Sequence, residues 1–164
     1  MQHAIFDSPL GPMVAVTDGD ALVRVSLLQQ RHLPDVTNFG PRDDHGAPDV
    51  RAQFAEYFDG DRRSFELPLA PMGTTFQRAV WDALDAIAYG TTTTYAAVAA
   101  RIDNAKAVRA VGLAVGKNPH MIIRPCHRVL GSNGSLTGYA GGLETKVFLL
   151  ELESKEVRLT RHRA

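Results

Sequence analysis

The side chains best suited to chemistry lie together in one run, Arg124-Pro125-Cys126-His127-Arg128. Cys126 is the only cysteine among the 164 residues, and a cysteine acts as a nucleophile in its thiolate form. The pKa of a free thiol is about 8.5, so a base or nearby cations must favour the thiolate at neutral pH. His127 offers the base, and Arg124 and Arg128 offer the cations. The run therefore predicts a reactive cysteine.

His127 can act on Cys126 only if two further conditions are met. Neighbouring residues of a regular strand point to opposite faces, so a turn must bring the two side chains together. Pro125 favours such a break because it fixes its own φ and lacks an N–H. A neutral histidine base also needs an acceptor that orients it. Glu153 is the predicted acceptor, since it continues the apolar face of a helix that starts at Leu143.

Each of these residues also has a purely structural interpretation. A lone cysteine is more often a small buried hydrophobe than a nucleophile. Glu153 can be a surface charge at a helix end, and Asn118-Pro119 can be an ordinary helix stop. Residue types and spacing alone leave both interpretations open.

The composition limits the class of protein. With 45% hydrophobic and 22% charged residues, the chain can bury a core. A single cysteine excludes an internal disulfide and a multi-thiolate zinc site, and no Cys/His cluster has ligand spacing, so we expect neither metal nor cofactor. The chain has no run of about eighteen apolar residues and no signal-peptide pattern. We therefore expect a soluble cytoplasmic protein with no membrane partner.

Charge is divided unevenly, although the formal net charge is zero. Residues 1–100 contain seven Lys/Arg and thirteen Asp/Glu, whereas residues 101–164 contain eleven and five, which leaves net charges of −6 and +6. Within residues 101–130, six basic residues stand against Asp103 alone. A local positive surface of this kind is typical of phosphate binding.

The N-terminal part predicts a small antiparallel sheet. Three runs rich in Val, Ile and Leu are separated by Pro and Gly turns, at residues 3–6, 12–17 and 21–28. Residues 29–48 contain three prolines and predict a loop, and Val50 to Phe58 predict a short helix. We expect an α/β domain over residues 1–70.

The C-terminal part, residues 71–164, predicts a mostly helical domain. A capping box, Thr74-x-x-Gln77, predicts the start of a helix that ends at Gly90. Leu143 to Glu153 predict a closing helix.

Two short helical patterns lie between these elements, at residues 95–101 and 105–115. They are separated by a tight turn in which Asp103 or Asn104 can cap the second helix. The pair favours a helix-turn-helix, although any helical hairpin has a similar pattern.

Pro125-Cys126-His127-Arg128-Val129-Leu130 matches the reactive-cysteine signature of the O6-alkylguanine-DNA alkyltransferases. The chain resembles this family over about residues 74 to 153. The supporting motifs occur in matching order and spacing: Phe76-Gln77-x-x-Val80-Trp81, Tyr89-Gly90, Thr94-Tyr95, Arg109-Ala110-Val111-Gly112, Gly116-x-Asn118-Pro119 and Leu136-Thr137-Gly138-Tyr139-Ala140-Gly141-Gly142.

The resemblance implies a role for each matching residue of the site. Cys126 attacks the alkyl carbon, His127 accepts its proton through a water, and Glu153 orients His127. Asn118 is similar to the asparagine that braces the site. Tyr95 resembles the tyrosine whose hydroxyl helps to neutralise guanine as it leaves, which agrees with the need for a hydrogen bond where negative charge develops. Without the resemblance, Tyr95 reads as a core aromatic at a helix start.

The resemblance also implies that the second helix of the pair enters the minor groove. A base inside a duplex cannot reach a buried thiol, and Arg109 resembles the arginine finger that replaces the extruded base. Small residues such as Ala110 and Gly112 allow close approach to the DNA, and Thr94 and Arg128 are further predicted DNA-binding residues. The alternative is a tightly packed core helix with one solvated arginine.

Four residues are predicted to line the pocket for the alkyl group. Three of them lie in the glycine-rich loop after the cysteine, which lines this pocket in the family, and the fourth, Met121, lies before the cysteine. The four are Met121, Thr137, Tyr139 and Ala140. One position departs from the family pattern, since Arg124 stands where an apolar residue is usual. Arg124 either changes the packing behind Cys126 or adds charge that lowers the pKa of its thiol.

The resemblance implies a ribonuclease-H-like fold for residues 1–70 and a winged-helix-like fold for residues 71–164. The implied function is a single transfer of the alkyl group from O6-alkylguanine in double-stranded DNA to Cys126 by a monomer, with O4-alkylthymine as a candidate second substrate. The main alternative is a non-enzymatic helix-turn-helix module that binds DNA or regulates it, with a structural cysteine.

Two further alternatives fit less well. An alkyltransferase-like protein flips the base but lacks the cysteine. A Cys-His hydrolase needs a distant base such as His3, His32 or His45, none of which has a catalytic-looking context.

Overall fold

The structure is a computed structural model that describes the backbone of residues 1–163 and the side chains of residues 1–156. Residues 1–72 form one compact unit together with residues 119–121, and residues 73–118 form a second unit with the chain from residue 122 onward. The sequence did not predict that residues 119–121 belong to the first unit. The domain bounds of 1–70 and 71–164 stay a proposal.

The first unit is built on the predicted three-stranded antiparallel sheet. The strands lie in the order β1 (Gln2–Phe6), β2 (Met13–Asp18) and β3 (Ala21–Leu27). Gly19 occupies the turn between β2 and β3 with a φ of 59°, a conformation that glycine adopts without a steric penalty.

Residues 119–121 pair with the edge of β3. The Val25 N–H donates to the Pro119 carbonyl (2.9 Å), and the Met121 N–H donates to the Val25 carbonyl (3.2 Å). Met121 is therefore buried as part of the first unit.

The long loop after β3 returns to β1 and then leads into α1 (Pro48–Phe58). The His3 N–H donates to the Pro41 carbonyl (2.9 Å), and the Asp43 N–H donates to the His3 carbonyl (2.8 Å). The helix begins two residues before the predicted Val50, because proline fits the first helical turn, where its missing N–H has no helical partner to lose.

The second unit begins at the predicted capping box. In α2 (Thr75–Leu84), Thr74 Oγ1 accepts from the Gln77 N–H (3.1 Å), and Gln77 Oε1 accepts from the Thr74 N–H (3.0 Å). The predicted end at Gly90 is wrong, since the helix ends at Leu84. The N–H groups of residues 85–87 donate to carbonyls three residues back, so the chain tightens into turns there.

The predicted pair of short helices is present as α3 (Tyr95–Arg101) and α4 (Val108–Gly116). Thr94 caps α3, because its Oγ1 accepts from the Ala97 N–H (3.1 Å). The side chain of Trp81 in α2 reaches α4, where its Nε1 donates to the Ala114 carbonyl (2.8 Å).

The start of α4 differs from the prediction. Its N-cap is Ala107, with no side-chain cap, so the prediction that Asp103 or Asn104 caps this helix is wrong. Residues 104–107 instead form a separate turn, closed by a bond from the Ala107 N–H to the Asn104 carbonyl (2.9 Å).

The remaining elements of the second unit are two short strands, one before and one after Cys126, and a long final helix. β4 (Thr93–Thr94) pairs in parallel with β5 (Val129–Leu130), and α5 runs over Leu143–Arg163, past the predicted end at Glu153. Within the described part of the chain, no helix is both long and apolar enough to cross a membrane.

Candidate active site

Cys126 begins a short 3-10 turn, residues 126–128, directly before β5. The Cys126 N–H donates to the Arg124 carbonyl (2.7 Å), and the Arg128 N–H donates to the Pro125 carbonyl (3.0 Å). Pro125 supplies the N-cap of this turn, as its missing N–H and fixed φ favour. The predicted break of the chain at Pro125 is confirmed, and Cys126 is buried, with 8% of the residue exposed.

His127 and Glu153 are both buried and lie in contact. The His127 Nε2 is 2.6 Å from the Glu153 Oε2, and the Gly90 N–H donates to the Glu153 Oε1 (3.3 Å). The helical spacing that places Glu153 on the inner face of α5 therefore brings its carboxylate to the imidazole.

Arg128 also binds this carboxylate. Its Nε donates to Glu153 Oε1 (2.7 Å) and its NH2 group to Oε2 (3.1 Å), while its NH1 group donates to the Ile87 carbonyl (2.6 Å). Because the side chain is buried and engaged in this way, the prediction that Arg128 binds DNA is corrected. It holds the catalytic-site carboxylate instead.

The charges of this cluster follow from its contacts. Burial alone would raise the pKa of Glu153, but the hydrogen bonds and charges of His127 and Arg128 lower it to about 2. Burial lowers the pKa of His127, with Glu153 opposing that shift. At neutral pH the carboxylate is ionised and the imidazole is neutral. The proton of the imidazole then lies on Nε2, which donates to Glu153.

This tautomer leaves His127 Nδ1 as an acceptor. Nδ1 is buried and has no hydrogen-bond partner among the described residues. A buried ring nitrogen of this kind is suited to take a proton, because its lone pair is not used by the fold.

Asn118 links the end of α4 to the turn that carries the thiol. Its Nδ2 donates to the Arg124 carbonyl (2.8 Å), the same carbonyl that accepts from the Cys126 N–H. The side chains of Asn118 and Tyr139 also form hydrogen bonds with the Cys126 thiol that favour its thiolate form.

The pKa of Cys126 is nevertheless raised. Burial is the main cause, and the hydrogen bonds of Asn118 and Tyr139 and the charge of Lys146 oppose it. At neutral pH the resting side chain is therefore a thiol, and its proton must leave as the sulfur attacks. The expectation that Arg124 and Arg128 lower this pKa is wrong, because the cation that acts on the thiol is Lys146.

Lys146 is a site residue that the sequence reasoning missed. It is fully buried, and its Nζ donates to the carbonyls of Val129 (2.7 Å) and Thr137 (3.3 Å). It therefore ties β5 to the glycine-rich loop. The signal was available, since Lys146 lies seven residues before Glu153 in α5 and so shares its face.

Arg124 turns away from the thiol. Its NH1 group forms an ion pair with Asp82 (3.1 Å) in α2. Arg124 is not among the groups that shift the pKa of Cys126, so the structure does not support the interpretation that its charge lowers that pKa.

The residues predicted to contact the base and its alkyl group lie partly together. Thr137 Oγ1 donates to the hydroxyl of Tyr95 (3.3 Å), and Tyr139 and Ala140 in the same loop are half-buried. Met121 belongs to the first compact unit, whereas these residues belong to the second.

The solvent face of α4 carries the residues predicted to meet DNA. Arg109 and Ala110 are exposed, and Gly112 faces Tyr95, whose Cδ1 lies 3.9 Å from where a β-carbon would stand. Thr94 is half-buried and uses its hydroxyl oxygen as the cap of α3.

Among residues 1–156, no group of three or more His, Cys, Asp and Glu side chains is arranged to hold a metal ion.

Two protein-family models match this chain. Residues 75–155 match the family described as 6-O-methylguanine DNA methyltransferase, DNA binding domain. Residues 1–71 match 6-O-methylguanine DNA methyltransferase, ribonuclease-like domain.

Individual proteins are similar over nearly the whole chain. A methylated-DNA–protein-cysteine methyltransferase of Methanosarcina acetivorans is 46% identical over 153 residues, which are 93% of this chain and 98% of that protein. One of Haemophilus influenzae is 43% identical over 154 residues, 93% of this chain and 86% of that protein. The crystal structure of Mycobacterium tuberculosis OGT in complex with DNA is similar with a TM-score of 0.89 and 41% identity, and covers 95% of this chain and 94% of that one.

Proposed function

Because the chain belongs to the 6-O-methylguanine DNA methyltransferase family, we propose that it repairs O6-alkylguanine in duplex DNA by moving the alkyl group onto Cys126. The transfer occurs once per molecule. The observation that carries this proposal is the buried pair of His127 and Glu153 directly after Cys126, in which a 2.6 Å contact leaves a basic ring nitrogen suited to take the thiol proton.

The chemical step balances within the protein and the lesion. The Cys126 sulfur forms a bond to the alkyl carbon as the bond from that carbon to O6 breaks, and the electron pair stays on the guanine. The thiol proton passes to Nδ1 of His127, directly or through one water. Glu153 stabilises the imidazolium that forms, since its carboxylate is already ionised. Arg128 helps to keep the Glu153 carboxylate ionised.

Tyr95 is the proposed donor to the departing guanine. A hydrogen bond there stabilises the negative charge that develops on the base. Its hydroxyl is held by Thr137, which places it beside the glycine-rich loop. Thr137, Tyr139 and Ala140 are the proposed lining of the alkyl pocket, and Lys146 holds this loop through the Thr137 carbonyl.

The product explains why one molecule reacts once. A thioether has no good leaving group, and the chain has no second cysteine to accept the alkyl group. The thiol itself is the acceptor, so the proposed reaction uses no cofactor.

The DNA is held by α4 in this proposal. Arg109 fills the place of the extruded nucleotide, Ala110 and Gly112 allow close approach of the backbone, and Thr94 contacts the DNA beside them. The protein acts as a monomer, and its substrate places the reaction where the genome lies, in the nucleoid or a nucleus.

A titration tests this proposal. A duplex with one O6-methylguanine is incubated with increasing amounts of protein, and the remaining lesion is counted. We expect one lesion removed per protein molecule, with no further loss over time. The variant Cys126→Ser is expected to remove none while it binds the same duplex within about twofold of wild type, because a serine hydroxyl is a far weaker nucleophile at neutral pH.

Two results would refute the proposal. One is repair of several lesions by one molecule, which would require an acceptor other than the thiol. The other is repair by Cys126→Ser at the rate of wild type. Binding of DNA without removal of the lesion by wild type would instead support the non-enzymatic module.

A further inference from the structure

Leu113 has the highest exposed fraction, 66%, of the large apolar side chains in the described residues. It lies in the middle of α4, four residues after Arg109. The buried residues of this helix are Val111, Ala114 and Val115. At 100° per residue, Arg109 and Leu113 lie about 40° apart and opposite this buried face. Leu113 therefore points directly away from the core.

The residues next to Leu113 in α4 are small, and the long side chains one turn before and one turn after it are those of Arg109 and Lys117. Gly116 lies on the same side of the helix, and a β-carbon built on it would have no atom within 4 Å. Leu113 is thus the most exposed large apolar side chain of α4, and it lies between two cations along the helix. An isolated exposed leucine is ordinary on a protein surface, so the neighbouring charges decide its meaning.

Those charges are uniformly positive. Lys106, Arg109 and Lys117 are exposed along α4 and its ends, and none forms an ion pair with a described residue. α4 contains no Asp or Glu. A polyanion with an apolar lining complements such a face, whereas an apolar protein partner would leave the cations unpaired.

The minor groove of duplex DNA has both properties. It is about 6 Å wide and lies between two phosphate rows, and proteins that bind it insert leucine and similar side chains against base steps to hold the duplex open. α4 offers little for reading base edges in the major groove, since Arg109 is the only long polar side chain within the helix.

We propose that Leu113 is a second DNA-contacting residue of α4, an apolar wedge that packs in the minor groove one helical turn from Arg109 and stabilises the duplex from which the guanine has been extruded. The inference rests on the proposed function. Leu113 lies about 6 Å along the helix axis from Arg109, which places it one to two base steps from the extruded nucleotide.

Three variants of Leu113 test the wedge. Leu113→Ala shortens it, Leu113→Gln keeps its length but makes it polar, and Leu113→Met keeps it apolar. Each is combined with Cys126→Ser to measure the Kd for a duplex holding O6-methylguanine, from about 50 to 200 mM salt. Each is also studied with Cys126 intact, for the rates of reaction with that duplex and with the free base. Leu143→Ala, which shortens another exposed leucine, is the matched control.

The wedge predicts a specific pattern. Leu113→Ala and Leu113→Gln weaken duplex binding and slow duplex repair about five- to twentyfold, because apolar contact is lost. Leu113→Met and Leu143→Ala stay within about twofold of wild type. The slope of log Kd against log salt is unchanged in all of them, since no phosphate contact is removed. The rate with the free base is also unchanged.

Other outcomes overturn the wedge. The wedge is refuted if Leu113→Ala changes duplex binding and repair by less than twofold. It is also refuted if the variant slows reaction with the free base equally, or if it changes the salt slope by about one phosphate contact. All three leave the proposed function intact, because wild-type repair of the lesion is measured in the same series. Failure of wild type to remove any lesion would instead refute the proposed function.

Discussion

At the scale of single residues, Glu153 organises the charges next to Cys126, because its carboxylate binds both His127 and Arg128. The contact of His127 with Glu153 expected from the face of α5 is present (2.6 Å), and Cys126 precedes His127 in the turn that follows Pro125. The flanking arginines were assigned to the thiol because they are its neighbours in the chain. Their partners, Asp82 and Glu153, lie 42 and 25 residues away, so only the fold reveals that both are engaged elsewhere.

Lys146 supplies the cation that the sequence reasoning attributed to the arginines. Burial lowers the pKa of Lys146 itself, and the nearby thiol opposes that shift. A buried lysine is costly unless its donors are used, and two backbone carbonyls use them here. Lys146 therefore combines two tasks, as a counter-charge for the thiolate and as a support for the pocket loop.

The variant Lys146→Met tests the first task. Because burial raises the pKa of Cys126 and Lys146 opposes this, removal of the cation is expected to raise that pKa further. The rate of thiol alkylation by iodoacetamide at a fixed pH near 8 is then expected to fall severalfold, because a smaller fraction of the sulfur is thiolate. The rate is followed against pH, and the single cysteine makes the readout unambiguous.

Lys155→Met, which changes an exposed lysine of the same helix, is the control and should leave the profile unchanged. Both variants should react like wild type in urea, where the fold no longer acts on the thiol. A profile of folded Lys146→Met that coincides with that of wild type would contradict the electrostatic role.

At the scale of elements, helix starts with side-chain caps were predictable and helix ends were not. Thr74 and Gln77 announce α2 in the sequence, and both bonds of the capping box are present. No residue type signals that the N–H groups of residues 85–87 turn to carbonyls three residues back. The prediction that Asp103 or Asn104 caps α4 is also wrong at this scale. Asp103 adopts a φ of 57° in a turn that precedes α4, and the helix has Ala107 as its N-cap.

Removal of the α2 cap gives a stability prediction. Thr74→Ala loses the acceptor for the Gln77 N–H and one half of the capping box. The free energy of unfolding is expected to fall by about 1 kcal/mol, as measured by urea denaturation.

Thr75→Ala is the matched control, because Thr75 lies inside the helix and provides no cap. We expect it to change the free energy of unfolding by less than about 0.5 kcal/mol. Equal losses in the two variants would show that the cap does not stabilise the protein.

At the scale of the whole molecule, the distribution of charge was informative where the net charge was not. The excess of basic residues in the C-terminal part is partly consumed by the ion pairs of Arg124 and Arg128. Four cations of the 101–130 segment remain exposed, namely Arg101, Lys106, Arg109 and Lys117. The pairing of residues 119–121 with β3 was not predictable, because a three-residue segment carries no signal for a strand edge about a hundred residues away.

These cations give a salt prediction for DNA binding. Each phosphate contact contributes about −0.9 to the slope of log K against log salt. Lys117→Ala is expected to reduce the magnitude of the slope by about one, measured by titration of a fluorescent duplex. Lys155→Ala serves as the comparison, and an equal change in both variants would contradict a role for this face in DNA binding.

The central claim is that the Cys126 sulfur keeps the carbon it removes from the base. The most direct measurement is peptide mass spectrometry after the protein has reacted with a duplex whose O6-methylguanine carries an isotopically labelled methyl group. We expect one labelled methyl group on the peptide that contains Cys126, in the same molar amount as the guanine restored in the DNA. Restored guanine with an unlabelled Cys126 peptide, or a label on any other residue, would contradict the claim.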